Sequence, residues 1–211
     1  MTRNLLIIAT TFFLANCHDS THPEKKPTDS SKPPKGMIKL SEGDCDFFKP
    51  DTSIYGIKIS DTESVIKVVG SKYKIVEDES RTLPYMTYTT KNGKEKMYLI
   101  VHYSSPKYQF DEFEVTGTDM QKTNTNIADE SHFTTGLGIH IGLTKSEVTS
   151  ILGSCYTSSQ GYKGNEELHY RLHDYNNSGF LKRYNQSLYY GFYSFLGDTL
   201  RSFKFGFEYF Q

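Results

Sequence analysis

Tryptophan is absent from this chain, and cysteine occurs only three times in 211 residues. So few cysteines exclude a disulfide-dense miniature scaffold. Neither charge sign is in excess: 24 Lys and Arg stand against 25 Asp and Glu, a formal net charge of -1. That balance leaves no electrostatic footprint for nucleic acid, and no nucleic-acid partner is expected. No Gly-x-Ser-x-Gly elbow and no His-Glu-x-x-His zinc motif occurs. Gly136-Leu137-Gly138 is turn chemistry and does not resemble a phosphate loop. The adjacent acids Asp111-Glu112 and Glu166-Glu167 fall in strand-like stretches, where neighbours point to opposite faces and make no acid–base pair. No catalytic residue, cofactor or metal ligand set is therefore expected.

The N-terminus supplies an address. Leu5 to Leu14 is mostly apolar and follows Arg3, too short a run to span a bilayer but suited to a signal peptide over 1–16. The run closes with Leu14-Ala15-Asn16-Cys17, which resembles the lipobox of bacterial lipoproteins. That resemblance implies cleavage before Cys17, acylation of its thiol and a lipid-anchored place in the bacterial cell envelope. It names an outer-membrane or periplasmic-face location, with the membrane contacted through the N-terminal lipid. His18 to Gly36 then carries Pro23, Pro27, Pro33 and Pro34 among Lys, Ser and Thr. With almost nothing apolar to bury, it reads as a tether with an end-to-end reach of roughly 25 Å. The span 17–52 is thus lipidated cysteine, tether and a transition segment in which Met37-Ile38-Lys39-Leu40 is a candidate short strand.

Beyond it a motif occurs twice. Gly56-Ile57-Lys58-Ile59 leads through Asp61 to Val65, Val68, Val69 and Gly70. Gly138-Ile139-His140-Ile141 leads through Thr144 to Val148, Ile151, Leu152 and Gly153. The apolar spacing is that of a short amphipathic helix. Asp61 is the N-cap in the first copy, and Thr144-x-x-Glu147 forms a capping box in the second. Gly70 and Gly153 suit the left-handed position that ends a helix. His140 reads as the polar face of an edge strand.

Aromatic, alternating segments follow each helix. Strands are expected near Leu83–Thr90, Glu95–Tyr103 and Tyr108–Thr116, then near Glu167–His173, Leu188–Phe195 and Leu200–Tyr209. Asn92-Gly93 and Gly197-Asp198 supply hairpin turns, and Tyr175 to Gln186 reads as a loop. The last strand alternates Phe203, Phe205, Phe207 and Tyr209 against Ser202, Lys204, Gly206 and Glu208. One face lies on helices and the other in water. The expected fold class is α+β. Two tandem helix-plus-antiparallel-meander repeats, 53–134 and 135–211, set short helices on one face of an antiparallel sheet in one globular unit.

With those features in hand, the chain resembles the small SmpA/OmlA-type lipoproteins that assist outer-membrane assembly. It is similar also to the tandem-repeat β-lactamase inhibitor proteins of the same architecture. The resemblance is carried by Gly138, Ile141, Val148, Leu152 and Gly153 over about three quarters of the chain. It implies that the free sheet face or its loops bind another protein, and it transfers no functional residue. In the first copy a lone Ser60 replaces the Gly142-Leu143 pair of the second. The expected function is a binding or assembly module with a protein partner. The alternatives are an inhibitor or immunity-type lipoprotein and, third, a hydrolase.

Three further candidates stand. His169 and His173 are four apart, but the alternation of Leu168, Tyr170 and Leu172 makes a strand, which separates them by about 13 Å and argues against a metal pair. Leu188, Tyr190 and Phe192 share one strand face, and Tyr189, Tyr193 and Phe195 share the other. Either the second set packs under the 175–186 loop, or Tyr189 and Tyr193 join His169, Arg171 and His173 in a partner-binding face. Cys45 and Cys155 remain once Cys17 is acylated, and an oxidising envelope permits either a disulfide or two free thiols. Replacing Cys17 by Ser is expected to leave the protein soluble or uncleaved, scored by fractionation and lipid labelling. Labelling of that variant at the wild-type level would contradict the anchor.

Overall fold

In the computed structural model of the chain, residues 49–208 are described apart from 72, 78–80, 104, 106–108, 119–125, 162 and 163. The Cys17 anchor, the tether, Cys45, the Met37–Leu40 strand and Tyr209 lie outside the described residues.

Two short strands, β1 (Ser53–Ile54) and β2 (Ile57–Lys58), pair antiparallel ahead of helix α1 (Thr62–Val69). Asp61 caps the helix by accepting from the Ser64 amide, as its short carboxylate and extended backbone allow. Three strands follow: β3 (Tyr85–Thr89), β4 (Glu95–Ile100) and β5 (Glu112–Gly117). A two-residue strand, β6 (Asn126–Ile127), ends this half. Helix α2 (Lys145–Leu152) starts at Thr144 with the complete capping box to Glu147. After it come β7 (Tyr156–Gln160), β8 (Glu166–Leu172), helix α3 (Gly179–Tyr184), β9 (Tyr189–Leu196) and β10 (Thr199–Phe207). Both helix-ending glycines have positive φ, 85° at Gly70 and 91° at Gly153. Their ψ values of 175° and -178° are extended, so neither takes the left-handed helical conformation.

The fold is α+β, with an eight-stranded sheet in the order β6-β3-β4-β5-β10-β9-β8-β7. β5 pairs with β10, so the third strand of each meander meets the other at the centre. The sheet is mixed rather than purely antiparallel, because β6 returns beside β3 in parallel. The two halves also differ in content. The second adds the strand β7 beside β8 where the first has only a bridge between Val76 and Tyr85 among the described residues, and it inserts α3 where a plain loop was expected. β7 reads Tyr-Thr-Ser-Ser-Gln and lacks the apolar alternation that marks a strand in sequence. α3 hides among Asn and Gly, yet Ser178 caps it through the Leu181 amide.

Register decides which side chains are inside. Phe203 lies opposite Val115 and Tyr193, Phe205 opposite Phe113 and Gly191, and Phe207 opposite Tyr189. Apart from Gly191, these residues form one core cluster with Met97 and Leu99, and it also takes in Val65 of α1 and Val148 and Leu152 of α2. Phe113 and Phe205 meet edge-on at 5.4 Å between ring centres, which adds about 0.5–1.5 kcal/mol to their burial. Gly206 is needed for close approach: a Cβ there would lie 2.3 Å from the Asp111 carbonyl oxygen. Short helices of eight residues are marginal alone, so burial of their apolar stripes holds them. Leu152 is fully buried. Its replacement by Ala is expected to cost about 2–5 kcal/mol in urea unfolding, the range for a buried leucine.

Candidate functional site

The sheet face turned away from the core cluster carries the polar chemistry. Register aligns Tyr98, Glu114, Lys204, Phe192, His169 and Thr157 in one row across six strands. A second row holds Ile100, Glu112, Gly206, Tyr190 and Arg171. Between Glu114, Thr116, Phe192, Ser194, Ser202, Lys204 and Glu167 the face dips into a hollow of about 310 Å³.

Two carboxylates on this face, Glu114 and Glu112, are paired with cations. Arg81 forks onto Glu114 with Nη1 and Nη2 at 2.8 and 3.0 Å, and its Cζ stands 3.6 Å from the Tyr98 ring centre. A planar guanidinium can hold a carboxylate and a ring face at once. Glu112 is almost fully buried. Lys204 Nζ reaches its Oε1 at 2.6 Å, the Tyr190 hydroxyl donates to Oε2, and His102 Nε2 stands 3.7 Å from Oε2. Burial alone would raise the Glu112 pKa, but His102, Lys204 and Tyr190 outweigh it and hold it below the usual carboxylate range. Tyr190 moves the opposite way: burial, then the Glu112 charge, push its pKa far upward. The row therefore presents aromatic surface framed by compensated charge. It has donors and acceptors for recognition, and at its β7 end Ser159 Oγ and Glu167 Oε2 lie 3.2 and 3.3 Å from His169 Nε2.

Of the five residues expected to form a partner-binding face, the structure separates two from the rest. Tyr189 and Tyr193 point into the core and are 0% and 1% exposed, so they are not on a binding face. Their parity follows from pairing with Phe207 and Phe203, which no single strand can reveal. Tyr189 instead donates from its hydroxyl to the Asp51 carbonyl at 2.7 Å. His169 and Arg171 do lie on the outer face, where His169 meets Phe192 edge-on at 4.6 Å. His173 falls just beyond β8 and is exposed. The outward aromatics of β9 are thus Tyr190 and Phe192. Glu112, Lys204 and Arg81 escaped sequence reading because their partners are distant along the chain.

His140 is not on a strand but in the turn-rich segment before α2, half-buried. Cys155 is disulfide-bonded. Among the described residues no group of three or more His, Cys, Asp or Glu is placed to hold a metal ion. No described helix is long and apolar enough to cross a membrane. Compared with known proteins, the chain matches no family model, no curated protein and no solved structure.

Because the folded Glu112 pKa is depressed, its contribution is full above the ordinary value of 4.5 and is lost as pH falls through the lower folded value. Glu112→Gln is expected to lower stability by about 1–3 kcal/mol at neutral pH. Unfolding curves taken at descending pH should show the gap to wild type closing below about pH 4.5.

Proposed function

We propose that this chain is a lipid-anchored cell-envelope binding or assembly module that engages a protein partner through the helix-distal face of its sheet. The observation that carries this reading is the outer row itself. Helices α1, α2 and α3 all feed the inner core, while Phe192, His169, Arg171, Lys204 and Glu114 share a face with a shallow hollow. Aromatic and arginine side chains bury large area at interfaces, and paired charges around them favour one register over others. The anchor is assigned to Cys17, and the Pro- and Lys-rich segment after it would let this face stand clear of the membrane.

The tandem-repeat reading accompanies this proposal and has local support. Ser60, with φ 56°, donates its amide to the Phe110 carbonyl at 2.8 Å just before α1. Gly142, with φ 100°, donates to the Leu200 carbonyl at 3.0 Å just before α2. In the second half the pre-helix turn is thus tied to β10, and in the first to Phe110, two residues ahead of β5. Ser60 bears the positive φ with help from its hydroxyl, which donates to Asp111 Oδ1 at 2.5 Å. The likeness to the SmpA/OmlA-type lipoproteins and the β-lactamase inhibitor proteins is proposed on these grounds. The Cys155 disulfide is assigned Cys45 as its other half, which leaves Cys17 free for acylation.

The test is capture of envelope proteins by the anchored chain and by a Phe192→Ser, Arg171→Glu double variant. Capture lost at an unchanged melting temperature is the expected result. Undiminished capture by the variant would remove this face from the function.

A further inference from the structure

We propose that His132 and His140 form a binding site for a borderline divalent transition-metal ion, Zn²⁺ being the type case. Glu95 is the carboxylate that orients the first ligand. The two histidines and the acid lie on three different stretches of chain, which is why no sequence motif marks them.

The tautomers are set from outside the pair. His132 Nδ1 is 2.6 Å from Glu95 Oε1, and the acid is buried with its other oxygen accepting the Phe133 amide at 2.8 Å. In the neutral ring a carboxylate so held accepts from Nδ1–H, which leaves Nε2 as the lone-pair nitrogen. His140 Nδ1 is 2.9 Å from the Ile141 carbonyl oxygen, which can only accept, so its Nε2 is a lone pair too. Carboxylate or carbonyl behind one nitrogen, with the other nitrogen open, is the outer-shell arrangement of metal-ligating imidazoles.

The spacing agrees. A Zn–N bond of about 2.0–2.1 Å plus about 1.1 Å to the ring centre sets each centroid ~3.2 Å from the ion. Two such rings at a tetrahedral to trigonal angle have centroids about 5.2–5.5 Å apart. The observed separation is 5.6 Å, with the rings tilted by 43°. The frame is firm: the Asn92 side chain donates to the Ser131 carbonyl at 3.1 Å, and the Thr135 amide to the Ile139 carbonyl at 2.9 Å. His132 is 51% exposed, so an ion and its water can enter. No third His, Cys, Asp or Glu completes the set among the described residues. The remaining positions fall to water or to a donor from a bound partner.

The experiment titrates the purified full chain with ZnCl₂, followed by calorimetry and by imidazole nitrogen resonances. The expected result is one saturable site at which His132 and His140 Nε2 shift together. Either His132→Gln or His140→Gln should abolish it, and Glu95→Gln should weaken it about 10–100-fold. His132→Gln changes a half-exposed side chain, so an unchanged melting temperature of its metal-free form verifies folding. Imidazole resonances that do not move, or Zn²⁺ binding that persists unchanged in folded His132→Gln, would overturn the site.

Discussion

The antiparallel pairing of β5 with β10 is the contact on which the rest of the molecule depends. It runs from Ser202 opposite Thr116 to Gly206 opposite Glu112 and makes one sheet of what would be two small meanders. A lone three-stranded meander has two open edges, each a row of unpaired backbone groups. Joined at this seam, the two bury Phe113, Val115, Phe203 and Phe205 in a continuous core. The approach is close enough that only glycine fits at position 206. The same register that places these phenylalanines inside delivers Glu114, Lys204 and Glu112 to the other side.

That second consequence gives the sheet its two characters. On the inner side, aromatic rings pack both edge-on and stacked, and the stripes of α1 and α2 close the layer. On the outer side, apolar residues are shielded piecemeal: Tyr98 by the Arg81 guanidinium, Tyr190 by Glu112 and Lys204. Buried charge is tolerated there because each member has a partner; a lone Glu112 would be costly in so dry a place. A strand apolar on both faces is thus central without needing a second covering layer. Such a face keeps its side chains in set rotamers, which lowers the entropy lost when another surface docks on it.

Much of the architecture was legible from local pattern. Asp61 and Thr144 declared the helix starts because a cap is a short-range hydrogen bond between residues three apart. The Asn92-Gly93 turn declared β3 and β4, and clean alternation declared β10, for the same reason. β7 was invisible because its Thr and Ser hydroxyls bury little, and its pairing with β8 holds it. α3 was invisible because six residues carry too little periodicity to stand out from Asn and Gly. The candidate face was half legible. His169 and Arg171 lie on the outer side of the sheet, whereas Tyr189 and Tyr193 took the other of the two placements left open and pack inside, Tyr189 edge-on against Phe180 of α3.

What the amino-acid sequence determined by itself is the set of local states: which stretches turn, cap and alternate, and which side chains must end on a common face. Spacing and turn chemistry act over a few residues and require no knowledge of the remainder. What only the tertiary structure decided is which of two alternating faces looks inward and which distant groups meet. The parity of β9 was set by β10, since Tyr193 opposes Phe203 and Tyr189 opposes Phe207. Glu112 found Lys204 and Tyr190, and Glu95 found His132, across separations that no local pattern encodes. Strand pairing is a long-range choice made by the summed burial of both partners, and a single strand holds only half of that information.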